Sequence, residues 1–360
     1  MGFEVNTGLE YQLSKYVYTL CILLMLPSLL SIRGYFFEYM RYMGFYVIIH
    51  IFFALALDFR FEIGEYLKTL MICTSFVFFE EILAKVKLNK YLLIAFILSV
   101  FINVSYIVFL QNRLEIALAR GGMIGGGQSL ANSLIYLLPL LFLIIKGKWA
   151  SFLYILGFLV VVISLRRTAL IAYIFCLPFI YNQYKRSVSK KYLIIAFLIL
   201  GVIVWYVVTN YWNVMESRFS DAFEASESGT YGSGRTGWWM VLVKSFLNSP
   251  QYWLQGFGPG QVALCMAKAG YPYGSAHNDY LEIGYTFGII GIVFWFRTIW
   301  KFYELSGKKY VQNVMLIRMA TLSYFLVAMF SGAAHNVQFV SLAIFAALIV
   351  NSRKNRGLQL

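Results

Sequence analysis

Long apolar runs recur from one end of the chain to the other, and no other feature limits its fold as strongly. Hydrophobic residues make up 60% of the 360 positions and charged residues only 13%, half of the ~25% that is usual in a soluble domain. So few polar side chains cannot cover the surface of a water-soluble fold, and we expect lipid to be the solvent. The sequence therefore predicts a multi-pass membrane protein and argues against a secreted, disulfide-stapled or disordered chain.

Each run is close to the length at which a helix crosses about 30 Å of hydrocarbon. We identify eleven of them, centred on 16–32, 42–57, 66–82, 91–110, 130–145, 149–165, 168–184, 191–210, 279–300, 311–330 and 337–350. A twelfth span near the N-terminus remains an alternative. Because helices satisfy their own backbone hydrogen bonds in lipid, the predicted fold is an all-α, polytopic transmembrane helix bundle of about 11–12 spans.

Basic residues at the ends of the spans predict the orientation of the chain, because short loops rich in Lys and Arg stay in the cytoplasm. The loops that contain Arg41, Lys87 and Lys308 are of this kind and are almost free of acids. The alternate loops then face the other side of the membrane. The predicted regions are N-terminal transmembrane helices (1–210), one large extracytoplasmic loop with short helices (211–278) and C-terminal transmembrane helices (279–360).

Several classes of function are disfavoured by what the sequence contains. The net charge of +14 would suit a nucleic-acid binder, but here the basic residues alternate with apolar runs rather than forming one face. The four cysteines share no metal-ligand spacing, and neither a Walker loop nor a Gly-x-Ser-x-Gly elbow is present. Ionisable residues are scarce within the spans, which disfavours ion-coupled transport. We expect no nucleic acid, metal or cofactor.

The three histidines differ in their sequence surroundings. His50 lies in an apolar run, where we expect a histidine that is hydrogen-bonded within the bundle. His277 lies where the large loop meets the next span, so it can meet both a membrane-anchored substrate and water; Asp279 and Glu282 follow within about a turn and are placed to orient its ring. Imidazole suits general-base work near neutral pH, and an interfacial capping histidine is the structural alternative. His335, in a short outer loop, either lines the same cavity or has a structural role.

Arginines recur on the predicted outer side, which positive-inside sorting normally depletes of positive charge. Guanidinium groups match phosphate oxygens and stay charged when partly buried. Arg167 and Arg235, considered together with His277, suggest a diphosphate clamp, and a solvated surface is the alternative. The further arginines on this side are Arg166, Arg120 before a glycine-rich run, and Arg218 near the head of the large loop.

The large loop contains two local motifs. The first is a helix-like run from Gly237 to Asn248, which Ser249 and Pro250 end, and its Trp content suits a helix at the membrane interface. The second is the glycine-rich segment 256–260, which predicts a turn whose backbone can approach a ligand closely.

The order of these motifs resembles that of the O-antigen ligase and polymerase superfamily. The resemblance is carried by Arg235 and the Trp helix, Pro250, Gly256-x-Gly258-x-Gly260, His277-Asn278-x-Tyr280-Leu281 and Gly288-x-x-Gly291. In addition, Arg167-Thr168-Ala169-Leu170 resembles the Ser-Arg-Thr/Gly element of the superfamily, with Arg166 in the usual serine position. The resemblance covers roughly residues 120–300.

Members of this superfamily act on undecaprenyl-diphosphate-linked glycans at the outer face of the bacterial inner membrane, without metal or nucleotide. The resemblance implies that Arg167 and Arg235 hold the diphosphate and stabilise the leaving charge. It also implies that His277 deprotonates or orients the acceptor hydroxyl. The remaining residues expected to bind substrate are Arg166, Arg120, Arg218, Asn278, Asp279, Tyr280 and His335.

The choice of acceptor separates the candidate functions. The compact outer loop, the short chain and the low charge favour a polymerase, an inverting glycosyltransferase that joins lipid-linked repeat units of O-antigen or capsular polysaccharide. A ligase that delivers the chain to lipid A-core or to protein is the alternative, and a lipid-linked glycan transporter is the candidate from another class. The expected partners are the undecaprenyl-diphosphate-linked oligosaccharide, membrane lipid and a chain-length regulator protein.

Overall fold

A computed structural model of the chain describes residues 4–31, 35–56, 63–85, 235–271, 275–307 and 314–330, with isolated helical positions between 98 and 209 and between 343 and 350. Within these residues the regular structure is helical and no strand occurs, which confirms the helical part of the predicted fold class. The number of spans and the predicted division into three regions remain predictions.

The described residues include seven α-helices and one short 3-10 helix. They are α1 (Glu4–Leu30), α2 (Glu38–Ala56), α3 (Ile63–Lys85), α4 (Arg235–Leu247), the 3-10 turn Pro250–Tyr252, α5 (Gln261–Lys268), α6 (Asp279–Gly307) and α7 (Val314–Phe330). The predicted apolar runs 16–32, 42–57, 66–82, 279–300 and 311–330 each coincide with one of the long helices. The predicted helix 237–248 corresponds to α4.

The chain divides into two compact units. One consists of Met1–Lys87, Trp238–Gln312 and Ala328–Gln359, and the other of Leu88–Gly237 and Asn313–Val327 with Leu360. In the first unit, α1 and α2 both pack against α3, and α6 packs against α2. The core between these helices contains fully buried apolar side chains, among them Leu29, Phe37, Val47 and Phe76.

The outward faces of these helices are apolar too. In α1 and α2, Leu23, Leu24 and Phe52 each expose more than half of their side chain, at 61%, 65% and 68%. In α6, Asp279–Lys301 has the length and composition of a membrane span, the one such stretch among the described residues, but its backbone is broken at Gly288. A shorter apolar helix covers Tyr16–Leu30. Apolar side chains on both faces of a helix are typical of contact with lipid.

Two contacts show which ends of the helices lie together in this unit. The buried Glu80 carboxylate near the end of α3 accepts the backbone N–H groups of Phe36 and Phe37, at 2.7 and 3.1 Å, just before α2 begins. The ammonium of Lys301, near the end of α6, lies 5.5 Å from the centroid of the Phe36 ring. The start of α2 and the end of α6 therefore share one end of the unit, as the sequence predicts for two loops on the same side of the membrane.

Helix α6 is broken at Gly288, where φ is 63° and ψ is −159°. In an unbroken helix the N–H groups of Ile289 and Ile290 would bond to the carbonyls of Tyr285 and Thr286, four residues earlier. Here they bond instead to the carbonyls of residues 253 and 254, at 2.8 and 3.2 Å. The break therefore frees four backbone groups of the helix for another partner.

The segment 253–258 supplies that partner. The N–H groups of Phe257 and Gly258 donate to the freed carbonyls of Tyr285 and Thr286, at 2.9 and 2.8 Å. All four backbone groups released by the break are thus paired with one short segment of chain. Since unpaired backbone groups are costly inside a membrane protein, this exchange allows α6 to be interrupted without loss of hydrogen bonds.

Glycine is required at two positions of this contact because the two backbones lie too close together to leave room for a Cβ atom. A Cβ added at Gly256 would collide with the carbonyl oxygen of Thr286, and one added at Gly288 would collide with the carbonyl oxygen of Leu254. Both residues also have positive φ, at 76° and 63°. The close approach predicted for the glycine-rich segment therefore exists, but the backbone that it approaches is that of α6.

Candidate functional site

His277 stands two residues before α6 and has an uncommon backbone conformation. Its φ is +50°, and it is the one non-glycine residue with positive φ among those that the structure describes. Residues with a Cβ adopt this left-handed region rarely, so the surrounding contacts must hold it there. Its ring is partly buried, with the centroid 6.2 Å from that of Trp238.

The residues before His277 are anchored by side-chain hydrogen bonds. The indole Nε1–H of Trp239 donates to the carbonyl of the fully buried Ala276, at 2.8 Å. The Ser275 hydroxyl accepts the backbone N–H of His277 at 3.1 Å and donates to the Glu282 carboxylate at 2.8 Å. The backbone immediately before the imidazole is therefore fixed from both α4 and α6.

The residue after His277 is anchored by the helix that it begins. The Asn278 Oδ1 atom accepts the backbone N–H groups of Tyr280 and Leu281, at 3.1 and 3.2 Å, in the geometry of a helix N-cap. Its own carbonyl accepts the N–H of Glu282 at 3.0 Å. The buried Asn278 side chain thus caps the start of α6 and fixes the backbone directly after His277.

An apolar cluster supports this turn from the side of the loop. It contains the buried side chains of Trp238, Leu242, Val262, Met266, Ala276 and Tyr285. The rings of Phe257 and Tyr285 stack within it at 4.4 Å and 12° between planes, which joins the glycine-rich segment to α6. The Tyr285 hydroxyl also bonds to the Ser245 hydroxyl of α4 at 3.1 Å. The short helices and the first half of α6 therefore form one packed body around His277.

Three acidic or polar side chains follow His277 in the first turn of α6 and are withdrawn from solvent. Asp279 is fully buried, Glu282 is 6% exposed and Asn278 is 9% exposed. Carboxylates in a first helical turn interact favourably with the backbone N–H groups there. Tyr280 in the same turn is partly buried, and its ring stacks on Phe296 at a centroid distance of 5.8 Å.

The structure brings only part of the predicted site together. His277, Asn278, Asp279 and Tyr280 occupy one turn at the start of α6. Arg235 is the first residue of α4 and belongs to the second compact unit. The other predicted site residues, Arg120, Arg166, Arg167, Arg218 and His335, lie outside the described residues.

One functional contact was missed by sequence reasoning. Ser275 was not singled out, although it stands two residues before His277, a spacing at which a serine hydroxyl commonly bonds to a nearby backbone N–H. Glu282 was expected to orient the imidazole ring directly. In the structure it acts on the backbone of His277 through Ser275.

His50 has the structural role that the sequence predicts. Its Nδ1 atom lies 2.9 Å from the hydroxyl of Tyr66, and its side chain is buried. A Cβ added at Gly258 would come within 2.7 Å of that hydroxyl and 3.1 Å of the His50 ring. The expectation of a histidine hydrogen-bonded between helices is confirmed, and the pair supports the glycine-rich segment from α2 and α3.

A metal site cannot be assembled from the described residues. Within those ranges no three His, Cys, Asp or Glu side chains group closely enough to hold an ion. The turn presents an imidazole with a fixed backbone, close to buried acidic side chains and aromatic rings.

Comparison with protein families gives this arrangement its context. Residues 152–296 match the model of the O-antigen ligase family. Over this range the chain is similar to the O-antigen ligase family. The matched range includes α4, the glycine-rich segment, His277 and the break at Gly288. The predicted resemblance to the O-antigen ligase and polymerase superfamily is thereby confirmed.

The match to this family also supports a function at a coarse level. It indicates a membrane-associated, glycosyl-transferring enzyme of polysaccharide biosynthesis, with a lipid-linked glycan as its substrate. No curated protein matches the chain.

Proposed function

We propose that this protein is a surface-polysaccharide polymerase. It joins undecaprenyl-diphosphate-linked repeat units of O-antigen or capsular polysaccharide at the extracytoplasmic face of the bacterial cytoplasmic membrane. The observation that carries the proposal is the position of His277 within the range that matches the O-antigen ligase family, held in a left-handed backbone conformation at the head of an apolar helix. A strained, fixed histidine at such a place suits proton transfer at the membrane surface.

The proposed reaction is a direct displacement at the anomeric carbon. The imidazole of His277 takes the proton of an acceptor hydroxyl as its oxygen attacks that carbon. The bond from the anomeric carbon to the phosphate oxygen breaks, and undecaprenyl diphosphate leaves with the electron pair. Because attack and departure occur on opposite faces, the configuration is inverted. No metal or cofactor takes part in this proposal.

The arginines on the outer side act on the leaving group. We assign Arg167 and Arg235 to the diphosphate, where guanidinium groups stabilise the negative charge that develops as the bond breaks. Arg166 stands beside Arg167 in the sequence and shares that role, while Arg120, Arg218 and His335 contact the glycan or its carrier. Asn278, Asp279 and Tyr280 complete the proposed binding residues next to His277.

A ligase is the second candidate, and the family match is equally compatible with it. In a ligase, the same donor and the same histidine would serve, and the acceptor would be lipid A-core or a protein. A lipid-linked glycan transporter is the candidate from another class. It would bind the donor without breaking the glycosidic bond to the diphosphate.

Reconstitution of the full-length protein in liposomes tests these alternatives. Undecaprenyl-diphosphate-linked repeat units are the sole substrate, without metal or nucleotide, and the products are separated on a gel. We expect a ladder that His277→Ala and Arg235→Ala abolish and that Lys268→Ala, an exposed change at the end of α5, leaves intact.

Each other outcome assigns a different function. Product that forms only after lipid A-core is added identifies a ligase. Binding of the donor without product in either assay identifies a transporter. A full ladder from folded His277→Ala protein would overturn the mechanism.

A further inference from the structure

The Ser275 hydroxyl is the link between a helix side chain and the His277 backbone. Its oxygen accepts the His277 N–H at 3.1 Å, and its proton is donated to Glu282 at 2.8 Å. A serine hydroxyl has one donor and two acceptor positions, so both bonds can form at once. The chain of contacts runs from α6 through Ser275 to the residue that bears the imidazole.

Glu282 makes a firm anchor for this link. Its side chain is buried at 6% exposure, so water does not compete freely for its oxygens. The backbone N–H of Ala276 also donates to this carboxyl group. Two neighbours of His277 are therefore tied to one side chain, which itself lies one turn into α6. Removing one partner from such a network costs free energy, because another polar group is then left buried without a hydrogen bond.

The conformation of the His277 backbone decides where its ring points. At a φ of +50° the Cβ atom leaves the chain in a direction that a residue with the usual negative φ does not give. Relaxation of this one dihedral would carry the imidazole away from its place beside Trp238. The contacts that hold the dihedral therefore also hold the ring.

We propose that Ser275 and Glu282 are positioning residues for His277, which keep its imidazole aligned with the acceptor hydroxyl. The inference rests on the proposed function, since it concerns the histidine that acts as base there. Glu282 does not touch substrate in this arrangement. Its role is to accept the hydrogen bond from the Ser275 hydroxyl.

Four variants separate positioning from direct participation. Ser275→Ala and Glu282→Ala break the link. We expect kcat to fall by about 10- to 100-fold, while KM for the lipid-linked donor stays within about 2-fold. The reason is that misplacement of a catalytic group weakens chemistry more than binding. Ser275→Thr keeps the hydroxyl and Glu282→Gln keeps an acceptor oxygen, and both should retain most of kcat. Ser245→Ala, which removes a hydroxyl bonded to Tyr285 in the same body, is the matched control and should stay near wild type.

A second measurement does not depend on turnover. The rate at which diethyl pyrocarbonate modifies His277 is followed by mass spectrometry on full-length protein in lipid nanodiscs. We expect Ser275→Ala to raise this rate by about 3-fold or more as the turn opens locally, and Ser275→Thr and Ser245→Ala to leave it unchanged.

The two measurements keep the inference and the proposed function apart. If wild-type protein yields no product with any acceptor, the proposed function fails, and the modification rates still test the positioning pair. Unchanged kcat and unchanged modification in folded Ser275→Ala protein would overturn the pair. A Glu282→Gln variant as inactive as Glu282→Ala would also overturn it, because that result assigns the charge itself to the reaction.

Discussion

The imidazole of His277 is carried by a backbone that most side chains avoid. A residue with a Cβ loses roughly 1–2 kcal/mol in the left-handed region, and only glycine enters it freely. Here the flanking residues are fixed on both sides, by Trp239 and Ser275 before it and by the Asn278 cap after it. The surrounding contacts thus hold His277 in a backbone conformation that is unfavourable for an isolated residue.

This strain predicts that the stability of a variant at position 277 depends on the replacing residue, whereas activity is lost with either replacement. Replacing the histidine by glycine should give a protein more stable than His277→Ala by about 1 kcal/mol, because glycine adopts this φ without steric strain. Both variants should lack activity, since both lack the imidazole. The free energy of unfolding is measured by SDS titration of the purified protein, and equal stability of the two variants would contradict the strain.

The Asn278 cap gives a second residue-scale prediction. Asn278→Ala should lower the free energy of unfolding by about 1 kcal/mol, because the Tyr280 and Leu281 N–H groups lose their acceptor. Asn278→Asp keeps an acceptor oxygen beside the helix N-terminus and should recover most of that loss. The same titration provides the comparison, and an alanine variant as stable as the aspartate variant would argue against the cap.

At this scale the sequence predicts the candidate site residues better than it predicts the contacts that fix their conformation. The position of His277 at the edge of a span identified it, and the acids one turn later drew attention to Glu282. The positive φ and the Ser275 link were not predictable, because each depends on contacts that α4 and α6 make only after folding. A hydroxyl two residues from a histidine is too common a pattern to single out.

Among the elements, the junction of segment 253–258 with the broken helix α6 is the most demanding. The two hydrogen bonds that a continuous helix would make within itself are replaced by four hydrogen bonds between two pieces of chain. The aromatic stack of Phe257 on Tyr285 closes the same contact with side chains. The first half of α6 is consequently bonded to the segment at one end and to the His277 turn at the other.

The closeness of this junction predicts a large difference between two glycines of similar conformation. Gly256 and Gly270 have φ values of 76° and 82°. A Cβ at Gly270 meets nothing within 4 Å, whereas a Cβ at Gly256 collides with the backbone of α6. We expect Gly270→Ala to cost about 1 kcal/mol from backbone strain alone, and Gly256→Ala to cost more than about 4 kcal/mol or to prevent folding.

The yield of folded protein and its unfolding in SDS measure this difference. Gly270→Ala is the control for positive φ, so the excess loss in Gly256→Ala reports the collision alone. Similar losses in the two variants would mean that segment 253–258 and α6 are not in contact.

The helices themselves were largely predictable, and their interruption was not. Apolar runs with the length of a span, and the Pro250 stop after α4, depend on local sequence and agree with the described helices. Gly288 was recognised as part of a motif, but a glycine in an apolar run usually continues a helix. Its break depends on a segment about thirty residues away in sequence, which no local pattern reveals.

For the whole molecule, the orientation in the membrane is the most consequential prediction. The positive-inside pattern assigns the turn at His277 to the outer side and the loop around Lys308 to the cytoplasm. With the four native cysteines replaced by serine, Gly270→Cys should react with a membrane-impermeant maleimide in intact cells. Lys308→Cys should react only after the membrane is permeabilised, and the opposite result would place the active site in the cytoplasm.

Composition alone predicted a membrane protein, because a chain with 60% hydrophobic residues has few other stable solutions, and the family match agrees with membrane association. The family followed from the order of several motifs, each weak by itself. The acceptor cannot be predicted in this way. It depends on the shape of a binding surface, and neither hydropathy nor charge pattern encodes that shape.

The exchanged hydrogen bonds at Gly288 also bear on how the protein is made. Segment 253–258 leaves the ribosome before α6 does and, with the predicted orientation, crosses to the outer side ahead of it. The N–H groups of Ile289 and Ile290 find their acceptors only in that segment, and each would cost several kcal/mol if it entered lipid alone. We therefore expect this helix to enter the bilayer as it docks on the earlier segment, so that insertion and docking occur in one step of biosynthesis.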